Sequence, residues 1–320
     1  MSQSPHPDLN AERPWLAEKE VGSELARQLI ASQFPELEPL SLSHLGTGWD
    51  NVVYLVNQTF VFRFPRRSMA LDLMDTEWKL LDRLAPELPL QIPRPLFKGQ
   101  ASESFDWPFA GYSLVPGRTA CAADLTPEQR AVTCQPLAEC LKTLHGFDLQ
   151  VARSLDLPGD TLAKVDIVQR LPKTLSRLET AVSLGLIRDP QPYHDFIAAL
   201  PAVTPAPRPL ALVHGDLYVR HLVVDAGGRL TGVIDWGDAH LGDSATDLSI
   251  VYSFLPPQAH ASFWQAYGPV SEDTRLLACF RALFHNLALL LYAEDTHDAD
   301  LKRESARTLA FLAEGWQSSQ

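Results

Sequence analysis

The chain has 320 residues, 46% of them hydrophobic and 21% charged, and its 27 basic and 39 acidic side chains give a formal charge of −12. This length can bury a sizeable core in one large domain or two lobes, and the acidic balance argues against a nucleic-acid partner, which favours a basic face. Four cysteines, Cys121, Cys134, Cys140 and Cys279, form no Cys-x-x-Cys pair and no disulfide-dense spacing, so buried, reduced thiols in a cytoplasmic protein are expected.

The first 14 residues are polar and proline-containing, without the apolar stretch of a signal peptide. No uninterrupted apolar run approaches the roughly 18 residues of a membrane span, so no membrane partner is expected and the chain is read as a monomer. A helix is predicted over 15–34, where Val21, Leu25 and Leu29 recur on one face. Strand-like runs follow at 40–45, 52–56 and 60–64, with Gly46-Thr-Gly48 between the first two and Asn57-Gln-Thr59 between the last two. A helix over 69–84 buries Leu71, Met74, Trp78 and Leu81, with Glu77 at the edge of that stripe. Prolines near 93–95 and 107–108 surround another strand at 112–115, which Pro116-Gly117 ends in a hinge. Helical patterns then cover 127–145, 164–186 and 192–200. A proline-rich break at 201–209 precedes an apolar run at 210–213, and helices resume after Asp247, the longest over 272–293. The first third is thus strand-rich and the remainder helical, with one β-hairpin.

The segment Leu212-Val-His-Gly-Asp-Leu-Tyr-Val-Arg-His-Leu-Val-Val-Asp225, followed by Gly232-Val-Ile-Asp-Trp-Gly237, places Asp216 and Asp235 at the ends of two short apolar runs separated by a Gly-Gly turn. The protein kinase pattern has His-x-Asp, an amide ligand five residues on, and then Asp-Phe-Gly. Here His214-Gly-Asp216, His221 and Asp235-Trp-Gly237 occupy those places. A carboxylate at Asp216 would accept the proton of an acceptor hydroxyl, and Asp235 would supply hard oxygen to Mg2+. Taken singly, each is equally a turn aspartate.

Imidazole is a softer ligand than an amide oxygen. His221 therefore either ligates the metal, holds it through water, or hydrogen-bonds Asp216, while His214 is read as bracing the loop. Gly46, Gly48 and Asn51 form a turn able to approach phosphates. Arg63, mid-strand, would pair with Glu77 on the next helix as the strand cation and helix glutamate of kinases do. Asp243 and Asp247 are read as structural: Ser244 or Asp243 would cap the next helix, and Asp247 would brace the catalytic loop. Among Phe254, Trp264, Tyr267, Phe280, Phe284 and Tyr292, which would suit an acceptor pocket, the helical stripe through Phe280 and Phe284 favours plain core packing.

At these residues the sequence resembles the aminoglycoside phosphotransferase-like kinase family, most closely its macrolide 2′-phosphotransferases. The matching segments are Arg63-Phe-Pro-Arg-Arg67, Val213-His-Gly-Asp-Leu-Tyr-Val-Arg-His221, Val233-Ile-Asp-Trp236 and Asp247. The macrolide enzymes carry a His where His221 stands. The resemblance implies an α+β, bilobal protein-kinase-like fold: a small β-rich N-terminal lobe over 1–115 and a larger, mainly helical C-terminal lobe over 116–320. It also implies Mg2+ with ATP or GTP as donor, with Ser113 to Val115 as the hinge that meets the base. The expected activity is O-phosphorylation of a small hydroxylated molecule, with a macrolide-type antibiotic as the first candidate. A housekeeping kinase of choline, homoserine or sugars, and a non-catalytic nucleotide-binding module, are the alternatives. Acidic residues at 294–295 and 298–300 suit a cationic acceptor and equally a solvated surface.

Overall fold

In a computed structural model that describes residues 17–200 and 208–317, the chain divides into two compact units. One holds the described residues up to Asp82 together with Pro93–Leu114, and the other holds Arg83–Ile92 and the described residues from Val115 onward.

The first unit is a five-stranded antiparallel sheet with a helix before it and a helix inserted after its third strand. Its elements are α1 (Ser23–Gln33), β1 (Leu42–Thr47), β2 (Asn51–Val56), β3 (Phe60–Pro65), α2 (Ala70–Leu84), β4 (Pro95–Gly99) and β5 (Phe109–Ser113), with strand order β1-β2-β3-β5-β4. Alternation along β3 sends Phe62 and Phe64 into an apolar cluster with Ala26, Leu29 and Ile30 of α1, and leaves Arg63 for the opposite face. Of the helix predicted over 15–34, residues 15 and 16 lie outside the described residues, and among the described ones the helix starts at Ser23. The N–H groups of Glu18 and Lys19 both donate to the Arg66 carbonyl, tying that stretch to the end of β3 in a non-helical course. On α2 the buried positions are Ala70, Thr76, Glu77, Leu80, Leu81 and Leu84, whereas Leu71, Met74 and Trp78 of the expected stripe are half-buried, so Glu77 lies inside the packed face and not at its edge. Strand β4 is absent from the sequence reading because Pro95 disguises it. As the edge strand of the sheet it tolerates a residue without an N–H donor.

The second unit is mainly helical: α3 (Ala120–Ala123), α4 (Pro127–Val132), α5 (Cys134–His145), α6 (Leu149–Ser154), α7 (Ile167–Ser183), α8 (Gln191–Ala198), α9 (Ala245–Phe254), α10 (His260–Tyr267), α11 (Glu272–Asp295) and α12 (Ala299–Gln317). The helix expected over 127–145 breaks at Thr133. Pro136, early in α5, has no N–H for the Val132 carbonyl and its ring would crowd that oxygen. The expected hairpin is present, and among the described residues further short strands make two small sheets. Strand β6 (Arg118–Thr119) joins the hairpin of β8 (Leu222–Val224) and β9 (Leu230–Val233), and β7 (Ala211–Val213) pairs with β10 (His240–Gly242). Strands of two or three residues are too short to show alternation in sequence. The proline-rich break lies partly outside the described residues, at 201–207.

Helix α11 is apolar and long enough to cross a membrane by length and composition, although 67% of its most apolar stretch is buried inside the protein. Arg281, His285 and Asn286 interrupt it, and it packs against α7, α9 and α12. The core there joins Leu178, Phe280, Leu283, Leu287 and Leu309. All four cysteines are free, three of them buried and Cys279 half-buried.

Candidate active site

In the first unit, Arg63 Nη1 donates to Glu77 Oε1 at 2.7 Å, and the Tyr112 hydroxyl donates to Glu77 Oε2 at 2.8 Å. The pair is well sheltered, with side chains 17% and 2% exposed, and is not a surface salt bridge. The Gly46-Thr-Gly48 turn is braced by Gly48 N–H on the Asn51 carbonyl, by Arg66 on the Gly48 carbonyl at 2.7 Å and by Arg67 on Asp50 at 3.0 Å. A Cβ at Gly46 would meet open space, and one at Gly48 would approach only the Asn51 carbonyl, at 3.7 Å; packing alone does not demand glycine at either place. Ser113 spends its N–H and hydroxyl on the backbone of Arg94. Val115, in the second unit, is buried against Gly232, where a Cβ would come within 2.4 Å of the valine Cγ1.

In the second unit, Asp216 follows β7 at the head of the loop that ends in β8. Gly215 has φ +86°, and a Cβ there would fall 2.2 Å from the Asp238 carbonyl, so the turn requires glycine. Buried Asp247, on the first turn of α9, accepts the N–H groups of His214 at 2.7 Å and Gly215 at 2.9 Å, and contacts His145 Nε2 at 3.2 Å. Lys164 Nζ donates to the Gly215 carbonyl at 2.9 Å and to Asp238 Oδ1 at 2.7 Å. His214 accepts the Asp216 N–H at Nδ1 and donates from Nε2 to the Ile234 carbonyl at 3.0 Å. The Ile234 N–H in turn donates to the His221 carbonyl. The two aspartate loops are therefore fastened to each other through Ile234.

His221 sits between the aspartates. Its Nδ1 donates to the Asp216 carbonyl at 2.7 Å, and its Nε2 lies 3.3 Å from Asp235 Oδ2. With Nδ1–H committed, Nε2 would face a carboxylate with a bare lone pair unless a cation sits there. That cation is either a second proton or a metal. Burial works to depress the His221 pKa, but the charge and hydrogen bond of Asp235, then Asp216, outweigh it and the net direction is up. Asp235 itself has φ +67°, a left-handed backbone that is strained for a non-glycine residue. Among the described residues no cluster of three or more His, Cys, Asp or Glu is arranged to hold a metal. His221 and Asp235 are the two side chains of this constellation that could hold a Mg2+ ion, which takes few protein ligands and leans on substrate phosphates.

Asp216 Oδ1 lies 3.6 Å from His285 Nε2 and 3.9 Å from Arg281 Nη2, and its side chain is 30% exposed. Burial, then the nearby Asp238 charge, raise its pKa against the pull of His221, Lys164 and Arg281. Burial, then the charges of Arg281, Lys164 and Arg177, push the His285 pKa well down. Lys164, Asp238, Arg281 and His285 were missed in the sequence because none lies in a motif. Only the four-residue step from Arg281 to His285 on α11 hints that they share a face. Asp243 caps α9 through its carboxylate on the Ala245 N–H at 2.9 Å. The aromatic set disperses. Phe254 and Phe280 are fully buried, and Tyr267 bonds His145.

The model of the phosphotransferase enzyme family matches residues 41–282. The chain belongs to that family and is a nucleoside triphosphate-dependent kinase acting on an alcohol group. Among its relatives, the aminoglycoside 3′-phosphotransferase of Streptomyces fradiae is 25% identical over 211 residues, 61% of this chain and 72% of the relative. The solved GDP and kanamycin complex of APH(2″)-IIIa covers 92% of this chain and 99% of its own, with TM-score 0.66 at 24% identity. The macrolide 2′-phosphotransferase MphH of Brachybacterium faecium covers 84% and 91%, with TM-score 0.53 at 25% identity.

Proposed function

We propose that this kinase transfers the γ-phosphate of ATP or GTP to a hydroxyl of a small molecule, with Asp216 as the base. The observation that carries the reading is the fastening of Asp216, His221 and Asp235 into one constellation by Asp247, His214 and Ile234. Asp216 orients the acceptor hydroxyl and takes its proton as the oxygen attacks the γ-phosphorus in line with the leaving diphosphate. Asp235 and His221 hold Mg2+, which when bound neutralises phosphate charge. In the first unit, Gly46, Gly48 and Asn51 offer backbone and amide donors to the donor phosphates, and Arg63, oriented by Glu77, adds positive charge. Ser113 and Val115 mark the stretch that meets the base. The latitude for a Cβ at Gly46 and Gly48 supports the turn's assignment, because a phosphate rather than the fold then accounts for the glycines.

Two acceptor readings follow. The segment Val213–His221, together with the likeness to MphH, supports an antibiotic of macrolide type. The cations beside Asp216 support a metabolite kinase. Incubation with Mg2+, ATP or GTP, and erythromycin, kanamycin or a set of hydroxylated metabolites, followed by mass spectrometry, tests both. A product 80 Da heavier than one acceptor identifies the class. Nucleotide binding without transfer to any acceptor would instead favour a non-catalytic module.

A further inference from the structure

Two helices bring three guanidinium groups onto one aromatic ring. The guanidinium carbons of Arg177 and Arg170 on α7 lie 4.5 and 5.3 Å from the Phe284 ring centroid, and that of Arg281 on α11 lies 5.8 Å from it. Seven-residue spacing puts Arg170 and Arg177 on one face of α7, and three- and four-residue steps put Phe284 and His285 beside Arg281. The stacking accounts for where these groups lie, but it does not neutralise them.

Arg281 is buried, with its side chain 7% exposed, and its Nε has no hydrogen-bond partner. The carboxylate nearest its Nη2 is Asp216, at 3.9 Å, too long for a direct hydrogen bond. The other carboxylates whose charge it feels are Asp238, already bonded to Lys164, and Asp160, whose two oxygens accept the Leu162 and Lys164 N–H groups. Arg170 spends Nε on the Ala163 carbonyl at 3.2 Å, and Arg177 spends Nη1 on the Phe284 carbonyl at 3.3 Å. A buried guanidinium without a bonded counter-charge is costly, and this one lies beside the candidate base. Three of the four acidic residues that would suit a cationic acceptor are paired with cations of the chain. Asp298 pairs with Arg220, Glu294 with Lys302, and Asp300 with Arg303.

We propose that Arg170, Arg177 and Arg281, gathered around Phe284, bind a carboxylate or phosphate group of the acceptor, so that the substrate is a hydroxylated anion and not a polycationic aminosugar. The guanidinium fork matches either oxyanion. This assignment rests on the kinase reading of Asp216. In the reaction the acceptor oxygen forms a bond to the γ-phosphorus, the bond from that phosphorus to the nucleoside diphosphate breaks, and the hydroxyl proton passes to Asp216.

The test is calorimetry on the full chain saturated with GDP and Mg2+, titrating glucose 6-phosphate, gluconate and kanamycin to millimolar concentration. Arg281→Gln and Arg177→Gln are measured alongside; Arg177 is only half-buried, so its variant reports even if the buried one misfolds. At least one anion should bind, and Arg177→Gln should weaken it tenfold or more. Preference for glucose 6-phosphate or for gluconate identifies phosphate or carboxylate as the group bound. Binding of kanamycin alone, binding of nothing, or anion binding equal in wild type and Arg177→Gln would overturn the proposal. So would lost GTP affinity with unchanged anion binding, which would move the arginines to the donor phosphates. Anion binding with no transfer from ATP or GTP to the bound probe would sink the role of Asp216 and leave the anion site standing.

Discussion

Asp247 accepts the backbone N–H of His214 at 2.7 Å from the first turn of α9. A carboxylate 33 residues downstream thereby fixes the backbone on which Asp216, the proposed base, is mounted. Its second oxygen takes the Gly215 N–H at 2.9 Å. Asp247→Ala would leave two buried donors without an acceptor, at about 1–3 kcal/mol each. The expected outcome is a loss of roughly 3 kcal/mol in urea unfolding, with turnover falling further than the loss of folded protein explains.

The same residue carries a pH dependence. Burial works to raise the Asp247 pKa, but the hydrogen bond and charge of His145, the His214 ring and the Gly215 N–H outweigh it and hold it below its usual 3.8. A depressed folded value contributes stability that is present above the unfolded pKa and lost as pH falls through the folded one. Wild type should therefore lose stability below about pH 4 more steeply than Asp247→Asn, measured as Tm against pH.

His221 behaves in the opposite sense. Its raised pKa means that, without metal, the imidazolium–Asp235 contact is fully present below the unfolded value of 6.5 and is lost as pH rises through the folded one. A Mg2+ ion held by His221, as proposed, displaces that proton, so its affinity measured by calorimetry should climb with pH across the neutral range in wild type. In His221→Asn it should stay flat. A flat wild-type profile would remove His221 from the metal site.

In the first unit, Glu77→Gln replaces a charged partner of Arg63 with a neutral one. A hydrogen bond to a charged group is worth about 1.5–3 kcal/mol, so nucleotide affinity should fall tenfold or more. Tyr112→Phe, which removes the second contact to Glu77, should cost less. Fluorescence titration with a labelled nucleotide distinguishes the two, and equal affinities in all three proteins would detach the pair from donor binding.

Much of this was legible in the sequence, because motifs are local. The kinase-like spacing of Asp216, His221 and Asp235, with Asp247 downstream, put these residues together in the sequence, and the structure brings them together; the Arg63–Glu77 pair likewise follows from a strand and the helix after it. What spacing could not carry was the tertiary support. Lys164 lies 51 residues from the Gly215 carbonyl that it holds, and Arg281 and His285 reach Asp216 from a helix that reads as plain core. Pro95 and Pro136 misled for one reason, the missing N–H donor, which an edge strand tolerates and a helix interior does not.

The most direct test is the γ-phosphate transfer rate of Asp216→Asn against wild type, on whichever acceptor the mass-spectrometric screen identifies, with circular dichroism to verify the fold. A base in this position is worth about 10²–10⁴-fold, and the account predicts a loss of at least a hundredfold with nucleotide binding retained. A folded variant that keeps more than about a hundredth of the wild-type rate would contradict it.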